Sequence, residues 1–404
     1  MRVGGLRRVS NPALLAITAE GFLSRLSFGI ISFALPLYAR RQGMSLGQIG
    51  LLVSTSLAVA MVLKPAAGWA ADKVGLRTGL IAAMCLRSLV AGLLIFASLP
   101  WQLFAVRAVH GMSVALRDPS VDALIAEHGG KGAVASAYAW YQTAKSVAGS
   151  LGKALAGLLL ALTASSFPIV FAIAFVLSAL PLTVVVRAVP TIEGEPAGDS
   201  PGSGQSAVVR VPPRLAPYAG LAFLMAATAD MLHGLLPLLA VEYAGLTESQ
   251  TGMVFLVATV VSLVAGPVFG WLSDNVSHKL VLSLRALANA GSSLVLLGAP
   301  NLWGMMTGKM LDDAGKAAFR PAWGALMAQL SAHDRRNRAR TMSVLSMGED
   351  AGAIAGPILA GLLWAAGGVP ALLLARVGLA VVAEIYSVRV IRKMPSEQPD
   401  GTYR

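Results

Sequence analysis

The sequence predicts an all-α membrane protein of twelve transmembrane helices, arranged as two similar halves of six helices each. Hydrophobic residues make up 56% of the 404 positions and charged residues only 13%, a composition far more apolar than that of a soluble domain. The chain also repeats itself. Residues 65–72 return 202 positions later as residues 267–274, with the shared pattern Pro-x-x-Gly-Trp-x-x-Asp. A duplicated unit of about half the chain is typical of a transporter built from two related halves.

The individual helices follow from apolar runs of about 20 residues, the length that crosses the hydrocarbon core of a bilayer. The first six spans are predicted at 13–39, 46–70, 79–99, 102–126, 134–160 and 167–187. The second six are predicted at 216–240, 250–272, 280–299, 303–329, 342–364 and 370–391. We therefore expect bundles at 1–189 and 215–404, joined by a Pro-, Gly- and Ser-rich flexible linker at 190–214.

The basic residues predict the orientation of the chain. The net charge is +12, and most Lys and Arg lie in the tails, the linker and the even-numbered loops. By the positive-inside rule both termini and the linker are cytoplasmic, so we expect a multi-pass protein of a bacterial inner membrane. Membrane topology explains this charge, and no nucleic-acid partner is expected.

A motif between predicted spans 2 and 3 indicates a family. Residues 68–77 read Gly-Trp-Ala-Ala-Asp-Lys-Val-Gly-Leu-Arg, and a shorter copy begins at residue 270. The motif resembles the signature loop of the major facilitator superfamily, G-x-x-x-D-(R/K)-x-G-x-(R/K). The resemblance implies the major facilitator fold, a monomer, and a loop that latches the cytoplasmic gate in the outward-open state. The expected gate residues are Gly68, Asp72, Lys73, Gly75, Arg77 and Asp274.

Two further motifs resemble those of drug:proton antiporters within that superfamily. In span 4, Arg107-x-x-His110-Gly111 is similar to R-x-x-Q-G, with His in place of Gln. In span 11, residues 352–361 are similar to G-x-x-x-G-P-x-x-G-G, although antiporters have this motif in span 5, which lacks the Pro here. These motifs favour proton-coupled efflux, but the same spacing of small residues is typical of ordinary helix packing.

Charged residues inside the spans predict the functional site, because each is costly in hydrocarbon unless it has a partner or faces a wet cavity. The resemblance implies that spans 1, 4, 7 and 10 line a central cavity, and most of these charges lie there. Some of them could instead only connect helices. The candidates for proton coupling are Glu20, Asp230, Asp312, Asp313, Glu349 and Asp350. The candidates for substrate binding are Arg25, Arg107, His110, Arg117, Asp118, Lys145, His233 and Lys309.

The predicted function is transport rather than catalysis. We find no phosphate-binding loop, no zinc-protease spacing and no nucleophile elbow, so no enzyme activity, cofactor or metal is expected. The interpretation is a secondary active transporter, coupled to protons, that exports a small organic molecule by rocker-switch alternating access. Its partners are the substrate, protons and the lipid bilayer. The alternatives are a carrier for a polar or anionic metabolite such as a siderophore or peptide-like compound, a lipid flippase, and a transporter-like sensor. Interspersed Lys and Arg disfavour divalent-metal transport.

Overall fold

The described part of the protein consists mainly of helices long enough to cross a membrane. The computed structural model describes residues 12–128, 134–189, 213, 215–275, 278–332 and 338–392. Spans 1 to 6 are the helices Pro12–Arg41, Leu46–Val74, Leu76–Phe96, Pro100–His128, Val134–Leu162 and Phe167–Ala188. The predicted linker lies outside the described residues except for residue 213.

The second half repeats this order with one interruption. Span 7 begins as the helix Ala216–Asp230, turns at residues 231–235, and resumes as Leu236–Leu238 and a π-helical segment, Leu239–Tyr243. Spans 8 to 10 are Glu248–Asn275, His278–Gly298 and Leu302–Ala332. Spans 11 and 12 form the continuous segment Arg338–Arg392, which bends at Gly367 and Gly368.

Seven described segments are long and apolar enough to cross a membrane, and one of them, Val344–Val390, has the length of two spans. Spans 4, 7, 9 and 10 are absent from this set for visible reasons. Spans 4 and 10 contain the intramembrane charges, span 7 is interrupted, and the apolar part of span 9, Leu284–Gly298, is shorter. The twelve-helix prediction is confirmed, with polarity concentrated in the helices expected to line the cavity.

The gate motif is more helical than predicted. Span 2 continues through its last turns to Val74, and span 3 begins at Leu76, so that Gly75 alone connects the two helices. The Ala-rich residues 66–71 favour helix over loop. Gly75 has φ +92°, a conformation that Gly adopts at little cost and that allows the chain to reverse here.

The two halves share one packing pattern. Span 1 packs on spans 5 and 6, span 4 packs on spans 2 and 3, and span 3 packs on span 6. The second half repeats these pairs as 7 on 11, 10 on 8 and 9, and 9 on 12. Between the halves, span 2 packs on span 11 and span 5 on span 8, the two pairs that the duplication relates to each other. The repeat in the sequence is therefore a repeat of helix packing.

Among the described residues, the two halves share an apolar core at one end of the molecule. We call the side with the loops after spans 1, 3, 5, 7, 9 and 11 the odd-loop side, and the opposite one the even-loop side. A single apolar core joins both halves on the odd-loop side, where Phe33 packs edge-on against Phe255 with ring centroids 5.9 Å apart. Polar contacts seal the same end, from Arg40 to Glu242 at 2.8 Å and from Ser165 Oγ to Glu248 at 2.9 Å.

On the even-loop side, the described apolar residues of the first half and those of the second form separate clusters. One cluster surrounds Leu221 and Trp323, and the other surrounds Leu80 and Tyr141. The contact between Lys64 and Asp350, at 2.7 Å, joins spans 2 and 11 across the halves. The described part of the molecule is therefore closed on the odd-loop side and has divided apolar cores on the other.

Candidate functional site

A cavity lies between the two halves. Its empty space of about 570 Å³ includes open solvent, and spans 1, 5, 7, 8 and 10 line it. Its apolar wall is formed by Phe28, Leu232, Leu236, Pro237 and Phe255, and its charged or titratable wall by Arg25, Lys153, His233, Lys309, Asp312 and Lys316. Both halves contribute to each wall, as a site that changes access between two sides requires.

The interruption of span 7 shapes one side of this cavity. Gly234 has φ +77°, a left-handed conformation in which a side chain would be strained, and it packs against Val53 of span 2. Pro237 follows and has no backbone N–H to donate, so the regular pattern of helical hydrogen bonds is interrupted in this segment. Irregular backbone at membrane depth is tolerated where it is buried in protein or lines a wet cavity, and this break lines one.

In the first half, a buried ion pair connects spans 1, 4 and 5. Arg117 donates to both carboxylate oxygens of Glu20, at 3.0 and 2.8 Å, and to the Tyr141 hydroxyl at 2.7 Å. The side chains of Glu20 and Arg117 are 0% and 4% exposed. Asp118 adds a longer contact to Arg117 at 3.5 Å. Two-point recognition fixes the guanidinium in one geometry, so this carboxylate is held rather than free to move.

Also in the first half, positive groups surround one aromatic ring. The guanidinium carbons of Arg25, Arg87 and Arg107 lie 5.6, 5.4 and 5.9 Å from the centre of the Phe28 ring. His110 stacks on that ring at 4.2 Å with a tilt of 12°. Cations near an aromatic face are stabilised by the ring quadrupole, which offsets part of the cost of burying them.

Backbone carbonyls provide further compensation for these cations. Arg107 donates to the carbonyls of Leu52 and Val53, at 3.3 and 2.8 Å, and Arg87 donates to the hydroxyl of Ser24. Lys145, the remaining candidate of this half, lies 5.0 Å from the centre of the Tyr141 ring. The cluster is thus balanced by neutral acceptors and rings more than by carboxylates.

The second half balances its charges with carboxylates. Asp312 accepts hydrogen bonds from Arg376 of span 12 and from Lys316 at 2.9 Å, and it lies 3.9 Å from Lys309. Lys309 also donates to Asp313. Arg376 is fully buried and makes further bonds to the Thr228 carbonyl and the side chains of Asn289 and Ser293. The predicted stripe on span 10 is therefore a network of ion pairs that reaches span 12.

The other candidates lie around these two clusters. Asp230 and His233 flank the break in span 7, with an oxygen-to-nitrogen distance of 3.9 Å and side chains 30% and 42% exposed. Glu349 and Asp350 lie on span 11, away from the described cavity lining, and Asp350 pairs with Lys64. The structure thus brings Arg25, His233, Lys309 and Asp312 to the cavity and places Glu20, Arg107, His110, Arg117, Asp118 and Lys145 in the first-half cluster.

The gate residues form a separate group at the even-loop end of spans 2 and 3. Lys73 lies over the Trp69 ring at 4.1 Å, and Arg77 donates to the Val186 carbonyl of span 6 at 2.7 Å. Gly68 and Gly75 have open space where a side chain would project. The side chains of Asp72 and Asp274 lie outside the described part of the structure.

Sequence reasoning missed four features of the cavity. Lys153, Phe28 and Phe255 line it, and the break at Gly234 shapes it. The break had a signal, because Gly followed three residues later by Pro interrupts a helix. The aromatic residues had none, since a Phe in an apolar span is indistinguishable from one that faces lipid.

The match to a family model agrees with the fold and the duplicated packing. A model described as Major Facilitator Superfamily matches residues 21–227 and 218–402. The chain belongs to the Major Facilitator Superfamily. Proteins of known structure with this fold, reported below, include a nucleoside transporter.

Similarity to curated proteins of this superfamily is local. The chain is 32% identical to the multidrug resistance protein MdtG of Yersinia enterocolitica over 147 residues. The matched region covers 35% of this chain and 34% of that protein. MdtG of Serratia proteamaculans is 33% identical over 147 residues, with the same shares covered. The matching region spans about a third of the length of these relatives.

Similarity to solved structures extends over the whole fold. The nucleoside transporter NupG superposes with a TM-score of 0.74 at 13% identity, covering 95% of this chain and 100% of that one. A bacterial homologue of the human lysosomal transporter Spinster, in an inward-facing and occupied conformation, superposes with a TM-score of 0.67 at 17% identity, covering 95% and 98%. At these identities the likeness shows the fold alone.

Proposed function

We propose that this protein is a secondary active transporter that exports a small organic molecule across a bacterial inner membrane by alternating access. The observation that carries this proposal is the cavity between the halves, closed on the odd-loop side and lined by spans from both. Two bodies, residues 1–189 and 215–404 with the linker 190–214 between them, would rock about this site. The same proposal takes the carrier to be a monomer.

The orientation follows from charge. The excess of Lys and Arg in the even-numbered loops places those loops, and both termini, in the cytoplasm. With the odd-loop side sealed, the described conformation is then the inward-facing one. In that state the gate motif of spans 2 and 3 is released, and it would latch when the cavity opens outward.

Export is favoured by the similarity to MdtG, whose name describes a multidrug resistance protein. That similarity covers about a third of each chain, so the direction of transport is the part of the proposal that most needs a direct assay. The Arg107 motif of span 4 agrees with it.

Proton coupling would use a carboxylate that can lose its charge without breaking a strong ion pair. Glu20 is paired with Arg117, and Asp312 is paired with Arg376 and Lys316. Protonating either carboxylate would leave a buried cation without its charged partner. Asp230 differs, because its ion pair among the described side chains is the longer contact with His233. We propose Asp230 as the first proton carrier, with the paired carboxylates as alternatives.

The test is transport in proteoliposomes that enclose a pH-sensitive dye, with a panel of organic cations, anions, amino acids and siderophores outside. We expect a substrate-dependent pH change that Asp230→Asn abolishes. The matched control is Glu127→Gln, the same loss of charge at an exposed position of span 4, which should transport normally. Solute movement without a pH change would contradict proton coupling, and no solute movement across the panel would contradict transport.

A further inference from the structure

The central cavity carries an excess of positive charge. Four cationic side chains line it, namely Arg25 and Lys153 from the first half and Lys309 and Lys316 from the second. Among the described lining residues, Asp312 is the carboxylate, and the neighbouring Asp313 accepts a hydrogen bond from Lys309. Asp312 is engaged by Arg376 and Lys316, and Asp313 by Lys309, so these carboxylates offer little further compensation to Lys153.

One of these cations, Lys153, contacts an aromatic ring of the other half. Its ammonium lies 4.7 Å from the centre of the Phe255 ring, on the opposite half of the molecule. In the described part of the chain, no carboxylate forms an ion pair with Lys153. The attraction of a ring for a cation offsets only part of the cost of removing an ammonium from water. The position therefore lacks a negative partner.

Lys309 approaches the same ring from the second half, with its ammonium 5.7 Å from the centre of Phe255. Two ammonium groups from opposite halves thus share one aromatic ring. Lys309 already donates to Asp313 and lies 3.9 Å from Asp312, so its charge has carboxylate partners, whereas Lys153 forms no ion pair in the described part of the chain. An anion beside Lys153 would supply the negative charge that this ammonium lacks, and Lys309 is placed on the other side of the same ring to share it.

We propose that the cavity recognises an organic anion, with its carboxylate, sulfonate or phosphonate group bound between Lys153 and Lys309. The apolar body of the ligand lies against Phe255, Phe28 and the broken segment of span 7 at Leu236. This inference rests on the proposed transport function and names its substrate class. A cationic substrate would add its charge to the four already present, and a neutral one would leave Lys153 without compensation.

The same geometry links binding to closure of the carrier. Lys153 belongs to span 5 and Lys309 to span 10, so a bound anion connects the two halves at the centre of the cavity. Without the anion, closure of the halves would enclose the ammonium of Lys153 without a negative partner. With the anion bound, closure becomes favourable, so the loaded carrier changes conformation more readily than the empty one. A ligand shifts a conformational equilibrium only through such a difference in affinity between the two states.

The experiment measures binding to the purified full-length protein by isothermal titration calorimetry. Three probes share one aromatic body: 2-naphthalenesulfonate, 2-naphthylmethylammonium and 2-naphthalenemethanol. We expect the sulfonate to bind at least about tenfold more tightly than the other two, as a charged hydrogen bond is worth about 1.5–3 kcal/mol. Preference for the ammonium compound, equal affinity for all three, or no binding of the sulfonate would overturn the inference.

The variants assign the effect to Lys153. Lys153→Gln should weaken sulfonate binding by at least about tenfold, and Lys153→Arg, which keeps the charge, should retain most of it. The matched control is Arg187→Gln, a loss of one positive charge at an exposed position of span 6, which should bind as the parent does. Unchanged affinity in a folded Lys153→Gln variant would contradict the assignment. If that variant does not fold, competition of the sulfonate by inorganic sulfate on the parent protein tests the anion site, and absence of competition overturns it.

Failure of this inference is distinguishable from failure of transport. If proteoliposomes move cationic or neutral solutes and the sulfonate does not bind, the protein is a carrier with a different substrate class. If the sulfonate binds and Lys153→Gln weakens it, but no solute of the panel moves, the anion site stands while the transport proposal falls.

Discussion

The two halves of this protein pack their helices alike, but they surround buried cationic side chains with different groups. In the first half, three Arg side chains surround Phe28, and His110 stacks on that ring. At the equivalent positions 202 residues later, the second half has Asp230 in place of Phe28 and Asp312 in place of His110. An aromatic centre in one half thus corresponds to carboxylates in the other.

This difference teaches that duplication preserves packing more strictly than polarity. The pairs of helices in contact repeat, because interhelical distances are set by small residues and apolar surfaces common to both halves. The charges that face the cavity have diverged, which leaves the first half with a surplus of cations. An asymmetric substrate requires such an asymmetric site.

The largest expected effect tests the carboxylate network of the second half. Asp312→Asn would leave Arg376, Lys309 and Lys316 without their shared carboxylate, and Arg376 is fully buried. Breaking a buried ion pair from one side costs about 3–5 kcal/mol. We expect a lower unfolding temperature in detergent, measured by intrinsic fluorescence, whereas Glu127→Gln should leave it unchanged. Equal stability of the two variants would show that the network is not structural.

The equivalent experiment in the first half is Glu20→Gln. Arg117 would retain the Tyr141 hydroxyl and the longer contact to Asp118, so we expect a loss near the lower end of the same range, about 3 kcal/mol. The measurement is the same thermal unfolding, made beside Asp312→Asn. A larger loss in the first half would reverse the comparison, because it would mean that the Tyr141 hydroxyl and Asp118 compensate Arg117 less than proposed.

A smaller effect is expected at the break in span 7. Gly234→Ala would place a methyl group 2.7 Å from a Val53 side-chain carbon and hold a side chain at φ +77°. The left-handed conformation alone costs about 1–2 kcal/mol. Gly43→Ala is the matched control, since it has φ +82° with open space around it. The stability difference between these variants measures the contact of span 7 with span 2. No difference would mean that the Val53 side chain moves aside at little cost.

The smallest effect is expected at the surface contact that joins the halves on the odd-loop side. Arg40 and Glu242 are 41% and 32% exposed, and such pairs contribute about 0–1 kcal/mol. Arg40→Gln should therefore change the unfolding temperature little, and the change should diminish in high salt. A large, salt-independent loss would show that this pair, rather than the apolar core around Phe33, closes the odd-loop side.

Much of the fold could be predicted from the sequence, because apolar runs and an internal repeat have simple physical meanings. Helix count, the two halves and the charged faces of spans 4 and 10 all follow from them. The extension of span 2 to Val74 was missed, since a family loop motif was given more weight than the helix preference of its Ala residues. The break in span 7 was missed because the run 216–240 is apolar apart from Thr228, Asp230 and His233.

The candidate site could be predicted only as a set of residues, not as a set of pairs. Which partner Asp312 takes depends on the approach of span 12, and Arg376 is 64 positions further along the chain. Lys153 was overlooked as a ligand for the same reason, since its role depends on Phe255 and Lys309 from the other half. Spacing along one helix cannot reveal contacts between helices.

The most direct test of alternating access is a pair of distance measurements by electron-spin resonance in lipid, made in a Cys85→Ser background. One pair of spin labels replaces Trp101 and Trp303 on the odd-loop side, and the other replaces Arg187 and Arg389 on the even-loop side, all exposed and repeat-related positions. When pH is lowered or 2-naphthalenesulfonate is added, a rocking carrier predicts that one distance lengthens as the other shortens. Distances that stay fixed, or that change in the same direction, would contradict it.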